Sequence, residues 1–265
     1  MKQSQFYYLL RRGLFNAGSA IIKNGLVMFN KFTTAGISHP AQGSAEFNGT
    51  SDYIDLPNDI ITDTDNYTLG VWYYFDTQTT NDSILSFGYS ANDTPIVNLE
   101  LVNDGTVIQG FHRLDNSSNS TLTHTISTSG EWNYLVVTKD ESDHKLYLNG
   151  SVVSSNSSAT TGTLTFDQIS IGSLNRVSNI NFWEGNLANV AIWNRALSSD
   201  EINSVMWKSY EALTSAESNG LQAWYSLDDI TNPAASLANM EQLATDKNAT
   251  IENKAAITAA INALS

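Results

Sequence analysis

The sequence predicts an all-β sandwich, and three observations lead there. Short apolar segments recur along most of the 265 residues, with Asn, Asp, Gly, Ser and Thr between them. Several of these segments alternate apolar and polar residues with period two, the signature of strands. No long helical pattern appears before residue 198.

Residues 1–23 come first and read as an arm rather than a signal peptide, because Arg11 and Arg12 interrupt its apolar patch. Lys2, Arg11, Arg12, Lys23 and Lys31 all precede the first acidic residue, Glu46. Residues 1–45 therefore carry +5 and the remainder −19. Phe6, Leu9, Leu10 and Leu14 would form an apolar stripe on a helix. With Arg11 and Arg12, they are the candidate anchoring residues. Such an arm would dock on an acidic surface, another copy of the chain included, so a homo-oligomer is expected.

Strands are expected at 25–32, 44–47, 52–56, 67–75, 83–88, 96–102, 106–112, 121–126, 132–138, 145–149, 151–154, 163–166, 168–172, 186–194 and 221–227. In the segment EWNYLVVTKDESDHKLYLNGSVV, Asn149-Gly150 supplies the two positive-φ residues of a type I′ hairpin turn. Leu146 and Leu148 are expected to face the core, with Asp143-His144 in the connecting loop. Ser198-Ser199-Asp200-Glu201 then opens a helix with a capping box, and Ile202, Val205, Met206 and Leu213 make its apolar face. Asn24–Phe29 and Asn219–Trp224 share an Asn-Gly-Leu start. Pairing of these first and last strands would close one domain at 24–230. Residues 231–265 form a tail, with helices expected at 234–244 and 250–263 and a seam of Ile257, Ile261 and Leu264.

Composition bounds the function. Hydrophobic content of 41% supports a core, while charged content is only 15%. The polar surface is thus largely Ser, Thr and Asn, which suits a virion-surface or extracellular protein. With no cysteine there is no disulfide, thiolate nucleophile or cysteine metal site. A net charge of −14 argues against nucleic acid as a partner, and no apolar run reaches the length of a membrane span.

Candidate chemistry is sparse. Glycoside hydrolysis needs two carboxylates set across a cleft. Glu100 and Asp104 come nearest but flank an Asn-Asp-Gly turn, so no enzyme is expected. His39, His112, His124 and His144 are scattered and read as surface or strand residues. Asp52, Asp55, Asp59, Asp63 and Asp65 fall within fourteen residues, and Asp52, Asp63 and Asp65 are the candidate calcium ligands. Calcium aside, no cofactor is required. Tyr73, Tyr74, Tyr89 and Trp183 are the candidate aromatics for stacking on a sugar ring.

The blocks also form a family pattern. Ala45–Ile54 resembles the "F-D-G-x-x-D-Y-V" segment of laminin-G-like, concanavalin A-like jelly rolls, and Tyr67–Tyr73 resembles their "F-T-I-S-A-W-V" strand. Trp132–Val137 followed by Leu146–Gly150 resembles "W-x-H-V-A-V-T … L-Y-L-N-G", and Ile171-Gly172 resembles their "I-G" strand end. Gly185–Ser198 resembles "G-x-I-D-D-V-R-I-Y-N-R-A-L-S", with Asn194-Arg195-Ala196-Leu197 identical but Ala188-Asn189 at the acidic pair. The blocks run in family order across about 45–202. The resemblance implies a concanavalin A-like jelly roll in which Trp72, Trp132 and Trp193 are core. Such domains bind glycans, bind proteins or decorate larger proteins. The expectation is a non-catalytic, surface-displayed module of a larger assembly, a bacteriophage virion, with glycan binding. The expected partners are other virion or surface-assembly proteins and a cell-surface glycan. The alternatives are a free secreted lectin or adhesion domain and, behind it, a glycan hydrolase or lyase.

Overall fold

The computed structural model describes residues 21–23, 26–28, 43–61, 63–77, 81–127 and 129–227. The anchoring residues Phe6 to Leu14 and the helices expected at 234–244 and 250–263 lie outside the described residues. The chain divides into two units, Met1–Ser38 and His39–Ser265. In the first, β1 (Ile21–Lys23) pairs antiparallel with β2 (Leu26–Met28).

The second unit holds two antiparallel sheets. One contains β3 (Ala45–Asn48), β5 (Asn66–Tyr74), β10 (Asn133–Asp140), β11 (Asp143–Leu148), β12 (Ser151–Asn156), β16 (Glu184–Trp193) and β17 (Leu221–Tyr225). Its order is β12-β11-β10-β5-β16-β17, with β3 also on β16. The other contains β4 (Ile54–Leu56), β6 (Asp82–Tyr89), β7 (Asn92–Val102), β8 (Val107–Arg113), β9 (Asn119–Thr125) and β13 (Gln168–Ile171), in the order β4-β13-β6-β7-β8-β9. Among the described residues, β17 pairs with β16.

Alternation decides which residues face inward. Leu69, Val71 and Tyr73 from β5 meet Leu85, Phe87, Leu99 and Ile108 in the core between the sheets. The intervening Trp72 faces outward with Tyr134, Val136, Ala188, Ala191 and Trp193. That outer face is covered by helix α1 (Ser199–Val205) through Ile202, Val205 and Met206. The capping box at Ser198 and Glu201 forms as expected, and Arg195 holds Glu201 with contacts of 3.1 and 2.6 Å. Trp72 Nε1 donates to the Met206 carbonyl at 3.0 Å, and Trp193 Nε1 to that of Glu217 at 2.8 Å. Trp72 and Trp193 are therefore buried, as the family pattern implies, while Trp132 is half-buried.

The 163–166 segment is not a strand. Leu164 is buried all the same, and its amide donates to Thr64 Oγ1 at 2.9 Å. The Asn149-Gly150 turn has φ of 50° and 82°, as a type I′ turn needs. The Asn149 side chain also accepts from the Tyr134 amide (2.8 Å) and donates to Asn133 Oδ1 (2.9 Å). Asn149→Ala should therefore cost about 2 kcal/mol, combining strain at positive φ with lost hydrogen bonds. Urea melts would check this, and an unchanged midpoint would refute it.

Candidate functional site

Helix α1 lies on the seven-stranded sheet, and among the described residues no helix covers the outer side of the six-stranded one. Its register aligns side chains from three strands in rows. Glu100 lies opposite Gln109, and Gln109 opposite Thr123. Asn98, Phe111 and Thr121 form the next row, and Ile96, Arg113 and Asn119 the third. Thr121 and Thr123 are exposed, and Gln109, Phe111 and Arg113 are half-buried. The Arg113 guanidinium lies 5.9 Å from the centroid of the Phe111 ring.

A hairpin walls this floor. Two short strands, β14 (Leu174–Asn175) and β15 (Asn179–Ile180), pair with each other beside β6. Buried serines fasten it. Ser86 Oγ and Ser170 Oγ donate to the Ser173 carbonyl at 2.8 and 2.9 Å, and Asn175 Nδ2 donates to Asp55 Oδ1 at 3.0 Å. Gly88 permits the close approach, since a Cβ there would lie 2.1 Å from the Asn175 carbonyl oxygen. The hairpin carries Arg176, which pairs with Asp93 at 3.3 Å.

The floor is locked from below. Asn98 Nδ2 donates to Glu100 Oε2 (2.9 Å), Gln109 Nε2 to Glu100 Oε1 (2.6 Å), and Ser83 Oγ to Asn98 Oδ1 (2.6 Å). Burial pushes the Glu100 carboxyl up to about 7, against the opposing pull of Gln109, Arg176 and Asn98. The result is a rigid polar platform with one aromatic ring at its centre, flanked by amides, threonine hydroxyls and two guanidinium groups. Such a surface can stack an apolar ring face and hydrogen-bond hydroxyl groups around it.

The residues anticipated from sequence land elsewhere. Tyr73 and Trp183 are fully buried in the inter-sheet core, edge to face at 6.0 Å, so neither offers a ring to a ligand. Tyr74 is half-buried at the other sheet, 5.7 Å from Trp132, with its hydroxyl donating to Asp76 at 2.7 Å. Tyr89 ends β6, half-buried. Asp63 accepts from the Asp65 amide and Asn66 Nδ2, both at 2.9 Å. Asp65 accepts from Lys139 Nζ at 2.7 Å, and Asp52 is buried beside Ser51. Among the described residues, no three His, Asp or Glu side chains converge in a way that could hold a metal. Asp63 and Asp65 thus accept protein hydrogen bonds, and Asp52 has one 3.5 Å contact from Ser51 Oγ. His144 is not in a loop; it is buried in β11 and stacks edge to face on His112.

The two antiparallel sheets make a jelly-roll sandwich. The family model described as the Concanavalin A-like lectin/glucanases superfamily matches residues 48–203, and the chain belongs to that family. No curated protein sequence matches it. Among solved structures, it resembles a putative carbohydrate binding protein from Bacteroides ovatus at 15% identity and TM-score 0.52, covering 73% of this chain and 53% of that one. The CBM40 of IT-sialidase from Ruminococcus gnavus, solved with alpha2,3 sialyllactose, matches at 18% identity and TM-score 0.52, covering 62% of this chain and 96% of that one. The NanB sialidase of Streptococcus pneumoniae matches at 18% and TM-score 0.53 over 63% of this chain, which spans 28% of the sialidase. At these identities the likeness is one of fold.

Proposed function

We propose that the protein is a non-catalytic glycan-binding module whose ligand lies across Gln109, Phe111, Thr121 and Thr123. The observation that carries this reading is the half-buried Phe111 ring, set among hydrogen-bonding side chains on the sheet face that, among the described residues, no helix covers. Jelly-roll neighbours named as a carbohydrate binding protein and a CBM40 support it. Glu100 serves as a brace in this reading, because both of its oxygens already accept side-chain amides. A lone braced carboxyl does not supply the two separated carboxylates that hydrolysis uses.

We further propose that the module is displayed on a larger extracellular or virion-surface assembly. The contrast between +5 over residues 1–45 and −19 over the rest supports an anchoring role for the basic segment. A glycan array tests the binding claim. The wild-type protein should retain a defined set of glycans, and Phe111→Ala should weaken them by about 5- to 30-fold, the loss of one stacked ring at roughly 1–2 kcal/mol. Unchanged binding by Phe111→Ala would remove the platform from the account.

A further inference from the structure

The inward side of the ligand-bearing strands holds a buried polar cluster that the binding reading does not use. His112 lies on β8 between Phe111 and Arg113, and His144 faces it from β11 in the other sheet with ring centroids 6.1 Å apart. Both rings are fully buried. Tyr67 Oη meets His112 Nδ1 at 3.1 Å, and Ser120 Oγ on β9 meets His144 Nδ1 at 2.9 Å. Asn156 on β12 donates to the same Ser120 hydroxyl at 3.0 Å. Neither Nε2 has a hydrogen-bond partner among the described residues. Lys139 on β10, also fully buried, adds an ammonium group that donates to Asp65 Oδ1 (2.7 Å) and to the Glu141 carbonyl (2.6 Å). Asp143, beside His144, is the other nearby carboxylate and already pairs with Lys145.

We propose that His112 and His144 form an acid-sensitive latch that holds β8 and the edge strand β9 against the seven-stranded sheet, so that acid releases whatever the platform binds. The release rests on the glycan reading; the latch itself does not. The geometry explains the direction. Protonating both rings would place two cations face to edge beside the Lys139 ammonium, with Asp65, among the described residues, as the one carboxylate hydrogen-bonded to the cluster. The two bonds that tie β9 across to β11 and β12 both run through Ser120. Phe111, Thr121 and Thr123 stand on the opposite sides of these same two strands, so opening the edge dismantles the rows.

Burial holds His112 down to about 3, with Lys139 adding to the shift. Burial does the same for His144, to about 3, with His112 and Lys139 adding and Asp143 opposing. Both folded values lie below the ordinary 6.5. The stability contributed by the neutral rings is therefore complete above about pH 6.5 and is lost as pH falls toward 3. Glu100 has the opposite sign. Its folded value of about 7 lies above 4.5, so its contribution is complete below about pH 4.5 and is lost as pH rises through 7. Acid loosening cannot come from Glu100.

Hydrogen exchange without glycan tests the latch. Protection factors, which divide out the intrinsic pH dependence of exchange, would be measured at about pH 7.5 and about pH 5 for the wild-type protein and for the His112→Gln/His144→Gln variant. Each unshifted imidazole contributes about 30-fold at pH 5, so wild-type protection in residues 107–113 and 119–125, taken relative to the variant, should fall by about a hundredfold or more; the Glu100 contribution is common to both proteins and cancels in that ratio. The fall in β5 and β10 should be smaller, and the variant should lose no protection toward pH 5, where the Glu100 contribution grows. Equal loss in the variant, or equal loss across β5 and β10, overturns the proposal. A proton titration of the wild-type histidines decides the matter should the variant not fold: both buried rings should stay neutral to below about pH 4.5, and either one titrating near 6.5 overturns the latch. Glycan retention at the two pH values is scored separately. No binding at pH 7.5 counts against the glycan reading alone, and the exchange result counts for or against the latch alone.

Discussion

Asp65→Ala should destabilise the protein by about 3 kcal/mol, because it leaves a buried ammonium group without its counter-charge. Lys139 is fully buried, and its Nζ is held by Asp65 Oδ1 and the Glu141 carbonyl alone among the hydrogen bonds described. The Asp65 carboxylate also accepts the Gly162 amide at 3.0–3.1 Å, so its loss frees a second donor. The Asp65 side chain is 27% exposed, and water can partly replace it, which places the cost at the low end of the range for a broken buried pair. Asp65→Ala/Lys139→Met should recover much of the loss, since it removes the stranded charge. Urea unfolding of the three proteins checks both statements. Calcium should leave the wild-type midpoint unchanged. A loss below about 1 kcal/mol, or no recovery in the double variant, would contradict this role for the pair.

Gly88→Ala should have an effect of comparable size by a different route. The new Cβ would lie 2.1 Å from the Asn175 carbonyl oxygen and 3.3 Å from Arg176 Cβ. The obstacle is backbone, so the 174–181 hairpin must lift rather than a side chain rotate. Lifting strains the Asn175–Asp55 and Asn175–Ser86 contacts, at 3.0 and 3.3 Å, and moves Arg176 from the wall of the platform. Overpacking of this kind costs about 2–3 kcal/mol, and glycan retention should fall with it. Gly110→Ala is the control. Its Cβ would meet only the Leu146 and Val137 side chains, at 3.2 Å, and those can shift. Thermal melts showing the two alanines equal would count against the hairpin's close seat.

Much of the architecture was legible in the sequence because the signals are local. Period-two alternation, the Asn149-Gly150 turn and the Ser198/Glu201 capping box each depend on residues within a few positions of one another. The choice between Tyr73 and Tyr74 was not legible. Both faces of β5 are apolar, since one packs in the inter-sheet core and the other lies on the α1 side, so composition does not say which ring reaches solvent. Trp183 looked exposed because its neighbours are polar. It is instead pinned inside by backbone bonds to Gly172 and Gly49, both at 2.9 Å. The platform was hidden for a different reason. Asn98, Phe111 and Thr121 share a row only once the register of β7, β8 and β9 is known, and a two-residue strand such as β14 is too short to show a period. Glu100 was weighed only as half of a carboxylate pair, whereas its actual partners are two amides. The His112–His144 contact crosses between sheets, and no spacing along the chain encodes it.

The central claim is that the outer face of the six-stranded sheet binds glycan, and amide chemical-shift mapping during titration with an array-selected oligosaccharide tests it most directly. The account predicts shifts concentrated at Gln109, Phe111, Thr121, Thr123 and the Arg176 hairpin, with the helix-covered sheet silent. Shifts centred instead on Tyr74, Trp132 and the exposed Trp207 would contradict it and place the ligand on the opposite side of the sandwich.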